Sequence, residues 1–233
     1  MKTMKWLLKR EMWENKGMLL WTPIVIAGVI MTLILTGLIF GNAERMQLYG
    51  QPLSITIEGT ARMRIAQAMA ELYVSAGMPV LMILGLLVFF YCLGALHDER
   101  RDRSLLFWKS LPVSDTTTVL SKLLTALVVA PLITLAVAVA VGLLMVLAVC
   151  AFLLFHGTNM FGALLSAPQF YLAPLRLVAV LPVYILWALP TVGWLLMVSS
   201  LARSKVFLWA VGTPIITTLL LVWAQKILHF DLD

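Results

Sequence analysis

Over 233 residues the chain is 62% hydrophobic and only 12% charged, against roughly 25% charged in soluble domains, so no water-soluble core could use its apolar surface. A lipid-facing side needs no polar cover, because acyl tails are as apolar as leucine, and one membrane domain accounts for the excess. The net charge of +6 does not point to nucleic acid, because the basic residues flank apolar runs instead of gathering on one water-facing surface.

The composition predicts an all-α, polytopic membrane helical bundle. At its start, Lys2, Lys5, Lys9, Arg10 and Lys16 are interleaved with Met4, Leu8 and Met12, and Trp6 and Trp13 lie among them. Residues 1–18 are expected to form an amphipathic helix on the cytosolic membrane surface, cations toward anionic headgroups and tryptophans at headgroup depth. A helical extension of the first span fits the same residues, since the segment is short and its stripe imperfect. The uncharged run from Gly17 to Ala43 exceeds the roughly 7–15 residues of a signal-peptide core, so it reads as a retained anchor.

A helix rises about 1.5 Å per residue and the hydrocarbon layer is about 30 Å thick, so about 20 apolar residues make one crossing. Residues 19–233 then form a transmembrane domain of about five spans, near Leu19 to Phe40, Gly77 to Leu96, Leu123 to Leu154, Leu177 to Leu201 and Val206 to Gln225. The third is longer than one crossing; either Pro131 kinks it or its outer end extends beyond the bilayer. Between spans one and two, Arg62 to Tyr73 has the composition of a helix. Between spans three and four, Pro168 and Pro174 disfavour a continuous one, leaving an outer or partly re-entrant loop. Twelve of the 17 lysines and arginines fall in the N-terminal segment and the second and fourth connections, which puts the N-terminus in the cytosol.

All 11 acidic residues, and all lysines and arginines, lie outside these spans. Coupling to a proton or sodium gradient is therefore disfavoured, because it needs an ionisable group near the midplane. His97, His156 and His229 stand alone at span ends and do not make a metal-ligand set. Ser199 and Ser200 have no ionisable neighbour on their span to activate them, and read as helix-packing or carbonyl-capping residues. Cys92 and Cys150 lie near opposite ends of successive spans, so no disulfide is expected. There is no phosphate loop of the Gly-x-x-x-x-Gly-Lys-Ser/Thr kind, so ATP of that common type would have to be bound by another polypeptide. No catalytic residue, metal or cofactor is expected on this chain.

The most informative stretch is the connection at about 98–122. It opens on alternating charges, Asp98-Glu99-Arg100-Arg101-Asp102-Arg103, in which Glu99 and Arg103 are spaced for a weak helical ion pair. It continues through Leu105, Leu106, Phe107, Trp108 and Lys109 to a break at Leu111-Pro112, after which Ser114 or Asp115 can cap a new helix. Apolar side chains in water or at the headgroups suit a partner surface. A basic loop that only sets topology, its aromatics dipping into the interface, fits the composition as well.

Glu99-Arg100, Arg103-Ser104, Lys109-Ser110-Leu111-Pro112-Val113-Ser114 and Lys122 resemble the corresponding loop in membrane subunits of type-2 ATP-binding-cassette exporters. The resemblance implies a permease subunit in a bacterial inner membrane, paired with a second permease chain of the same or another kind. It also implies a coupling helix, built here from Glu99, Arg100, Arg103, Leu105, Leu106, Trp108, Lys109, Leu111 and Pro112, seated on a separate cytosolic ATPase that carries ATP and magnesium. That family usually has six spans, one more than this chain offers. A membrane scaffold that recruits a cytosolic partner without transporting anything is the alternative.

Overall fold

A computed structural model describes residues 2–49, 59–101, 114–155, 161–165 and 168–228, all of them helix or short turn with no strand among them. The helices are α1 (Lys2–Glu14), α2 (Thr22–Tyr49), α3 (Gly59–Ala95), α4 (His97–Arg101), α5 (Asp115–Leu124), α6 (Ala130–Phe155), α7 (Phe161–Leu165), α8 (Pro168–Val178), α9 (Val180–Leu201) and α10 (Val206–Leu228). Two π-helical turns, Gly17–Trp21 and Thr125–Val129, continue directly into α2 and α6. Among the described residues five stretches are long and apolar enough to cross a membrane: Gly17–Gly37, Gln67–Arg101, Asp115–Phe155, Phe170–Leu201 and Val206–Ile227. The chain is an all-α membrane-type bundle, and each expected span falls on one of these stretches.

The prolines take different places in their helices. At Pro131 the chain stays helical from Asp115 to Phe155, with the π-helical turn just ahead of the proline. Pro131 has no N–H to return to the Leu127 carbonyl, and a local π register absorbs that missing bond. Pro168 opens α8, where its absent N–H is no loss, and Pro174 lies inside the same helix. At the α8–α9 turn the Ala179 N–H still reaches the Leu175 carbonyl at 2.9 Å. The fourth apolar stretch therefore starts well before Leu177, and Pro174 does not end a helix. Prolines within membrane-type helices are tolerated because neighbouring groups re-satisfy the freed carbonyls. The helix expected from Arg62 to Tyr73 exists, and continues without interruption to Ala95.

The chain divides into two compact units. The first comprises Met1–Trp13, Leu87–Leu127 and Leu186–Asp233, the second Glu14–Leu86 and Val128–Ile185. The core of the second is a cluster of small and medium apolar side chains around Tyr73, Val80, Ala138, Met145 and Leu177, all buried. Two close backbone approaches organise it. A Cβ on Gly142 would lie 2.7 Å from the Tyr73 carbonyl oxygen, and one on Gly77 would lie 3.0 Å from that of Ala138. At Gly142 only glycine lets α3 and α6 approach so closely, while at Gly77 a side chain would press its neighbour back by a few tenths of an ångström. The Tyr73 hydroxyl donates to the Val139 carbonyl at 3.0 Å, and its ring meets Phe170 edge-on. Cys92 in the first unit and Cys150 in the second are both buried free thiols.

Candidate functional site

In the first unit, the buried groups surround the two ends of the basic connection. On α1 the stripe Met4, Leu7, Leu8 and Glu11 turns inward while Trp6, Lys9 and Trp13 stay outside, with the Lys9 ammonium 5.4 Å from the Trp6 ring. α1 is thus a helix with an inner and an outer face. Its inner face, however, carries a carboxylate.

That carboxylate is matched. The Lys122 ammonium, in the last turn of α5, donates to Glu11 Oε1 at 2.8 Å and to Glu99 Oε1 at 3.0 Å. Arg10 Nη2 donates to the same Glu99 oxygen at 2.5 Å, and the Tyr91 hydroxyl of α3 donates to Glu11 Oε2 at 2.9 Å. The Glu11 and Lys122 side chains are each 2% exposed, Glu99 12% and Arg10 16%. Two cations face the two inner carboxylates, a third carboxylate, the exposed Glu14, has an oxygen within 4.8 Å of theirs, and the pairing is what lets Glu11 and Lys122 be buried, since a lone buried ion costs several kcal/mol.

The network joins three separate parts of the chain. Glu99 precedes residues 102–113 and Lys122 follows them, so both ends of that stretch are held by one set of bonds, to each other and to α1. Withdrawing α5 alone would leave the buried Glu11 carboxylate without its Lys122 counterion, at about 3–5 kcal/mol. The ion pairs hold α5 to α1 and to α4.

A second joint ties α9 to the junction of α3 and α4. The Ser199 hydroxyl, fully buried, donates to the Leu93 carbonyl at 2.8 Å and accepts the N–H groups of Leu96 at 3.2 Å and His97 at 3.1 Å. These backbone groups are freed where α3 gives way to α4, and the serine satisfies them as a helix-end partner would. His97 Nδ1 lies 3.3 Å from the Ala202 carbonyl, and the Arg100 guanidinium donates to the Ser200 carbonyl. The connection between the fourth and fifth apolar stretches is thereby fixed to α4. Ser200 bonds back to Met197 in its own helix, at 2.7 Å. Both readings of the serine pair hold, one residue each.

Of the residues expected to form a partner surface, Glu99 and Arg100 are described, and each makes a specific tertiary bond. Glu99 faces Arg10 and Lys122. Arg103, Leu105, Leu106, Trp108, Lys109, Leu111 and Pro112 lie outside the described residues, as do His156 and His229. The helix that follows is capped by Ser114, in extended conformation at φ −73° and ψ 146°, its hydroxyl accepting the Thr117 N–H at 3.3 Å. Comparison with known protein families, curated proteins and solved structures gives no match.

Sequence reasoning missed Glu11 and the partner of Lys122. A signal for the first was present: Glu11 stands seven residues after Met4 and four after Leu7, on the apolar side of an amphipathic helix. An acid there must either break the helix's packing or meet a cation, and Lys122 heads an otherwise uncharged run of 53 residues before Arg176.

Proposed function

We propose that this chain is the permease subunit of an ATP-binding-cassette transporter of the exporting kind, in a bacterial inner membrane with α1 on the cytosolic side. A separate ATPase, binding ATP and magnesium, would seat on residues 98–112 and drive it. Two permease chains and two ATPases would make the working unit.

The observation that carries this reading is the buried Arg10–Glu11–Glu99–Lys122 set at both ends of the connection. A loop that served only to set topology would need positive charge and nothing more. Here the loop's two ends are clamped to each other and to the N-terminal helix, as a segment that receives force requires. ATPase closure against Leu105, Leu106 and Trp108 would pass through Glu99 and Lys122 into α1 and into the second and third apolar stretches. Through Arg100 and Ser199 it would reach the fourth. Export then follows from a shift between inward- and outward-open arrangements, biased by nucleotide on one side and substrate on the other.

The test is purification of the full tagged chain in mild detergent, with mass spectrometry of what stays attached and an assay of ATP turnover. A stoichiometric ATPase is expected. An intact, well-folded chain that retains no ATPase would overturn the transporter reading in favour of a scaffold.

A further inference from the structure

The second unit has an open cleft of about 400 Å³ at which Glu71 and Arg176 meet a strip of α3. Glu71, Ser75, Met78 and Met82 recur at intervals of three and four residues, so they form one line along the helix. Its charged end is Glu71 and its far end is Met82, 77% exposed. The 11 helical steps from Glu71 to Met82 rise about 16 Å, close to half of a roughly 30 Å hydrocarbon layer. The strip is as long as one leaflet is deep.

The charged end lies at headgroup depth on both elements. After Glu71 the chain carries no charge until Asp98, and after Arg176 none until Arg203. Each uncharged run is 26 residues, about 39 Å of helix, longer than the hydrocarbon layer, so each must begin at an interface. Both side chains are exposed, and neither makes an ion pair or hydrogen bond with a described residue. A carboxylate and a guanidinium thus stand at the mouth of one cleft without neutralising each other. Pro79, which also lines it, has no N–H to return to the Ser75 carbonyl, leaving an acceptor about one turn deeper along the strip than Glu71.

We propose that this cleft binds one phospholipid with an amine-bearing zwitterionic headgroup. Its phosphate pairs with Arg176, its ammonium with Glu71, and one acyl chain lies along Met78 and Met82. Charge complementarity selects this occupant: an anionic lipid would satisfy Arg176 and oppose Glu71, and a choline headgroup has no N–H to donate. Methionine's flexible thioether suits a groove that follows a mobile chain.

The test is native mass spectrometry of the delipidated full chain, titrated with dioleoylphosphatidylethanolamine, dioleoylphosphatidylglycerol or dioleoylphosphatidylcholine. The expected result is one phosphatidylethanolamine per chain, held about tenfold more tightly than either of the others, the worth of one charge-assisted hydrogen bond. Glu71→Gln should abolish the preference over phosphatidylglycerol, and Arg176→Gln should weaken both. Met82→Trp, at an exposed position that carries no packing, should block the acyl groove whatever the headgroup. Equal retention by parent and variants, headgroup-blind binding, or a protein dimer that takes up no lipid because a second copy covers the cleft would each overturn the proposal. The readout is lipid retention alone, so it stands or falls separately from the ATPase reading.

Discussion

Replacing Lys122 with methionine keeps the length and apolar stem of the side chain and removes the ammonium from between Glu11 and Glu99. Its two bonds, 2.8 and 3.0 Å long, are charge-assisted, worth about 1.5–3 kcal/mol each in such settings. The larger consequence is a Glu11 carboxylate, 2% exposed, left without that cation. Lys122→Met alone is expected to cost about 3–5 kcal/mol. Adding Glu11→Met removes both members of the pair while Arg10 still neutralises Glu99. The double variant should therefore recover to within about 1–2 kcal/mol of the parent, since apolar replacement of a whole buried pair is often neutral. Glu11→Met should therefore rescue the Lys122→Met chain by about 2–3 kcal/mol, whereas independent sites would show no rescue. Equilibrium unfolding in mixed detergent and dodecyl sulfate micelles, read by the fluorescence of the chain's eight tryptophans, measures it. A single variant within about 1 kcal/mol of the parent, or two substitutions whose costs simply add, would refute the reasoning.

Two paired comparisons test the remaining joints by the same unfolding assay. Ser199→Ala strips partners from the Leu93 carbonyl and from the Leu96 and His97 N–H groups and should cost about 1–3 kcal/mol, while Ser200→Ala, at an exposed position whose hydroxyl bonds to Met197 of the same helix, should cost under about 0.5 kcal/mol. Gly142→Ala places a Cβ 2.7 Å from the Tyr73 carbonyl oxygen, whereas nothing lies within 4 Å of one at Gly85. The first should destabilise by about 1–3 kcal/mol, and Gly85→Ala should be neutral or stabilise by up to about 1 kcal/mol.

What the sequence made legible was whatever a local rule dictates. Span positions follow from the length of uncharged runs, because the bilayer sets that length; Gly17–Gly37 and Val206–Ile227 were readable for that reason. The Ser114 cap was readable because an extended residue before a helix start needs a side-chain acceptor. Pro174 was misjudged, because it sits inside α8, where neighbouring groups re-satisfy the freed carbonyl, and that context is not visible in a local window. The Glu11–Lys122 pair joins residues 111 positions apart. Sequence could say that each ion on an apolar face needs a partner. It could not say which one, since that choice is made by the packing of α1 against the start of the third apolar stretch.

The central claim is that the connection between the second and third apolar stretches receives force from a separate ATPase. It is tested most directly by replacing Leu106 and Trp108 together with Asp in the full chain, then measuring co-purified ATPase and ATP turnover after confirming membrane insertion. The account predicts an inserted, folded permease that has lost both the bound ATPase and the turnover that travels with it. Undiminished ATPase on the Leu106→Asp, Trp108→Asp chain, turning over ATP as the parent complex does, would contradict it.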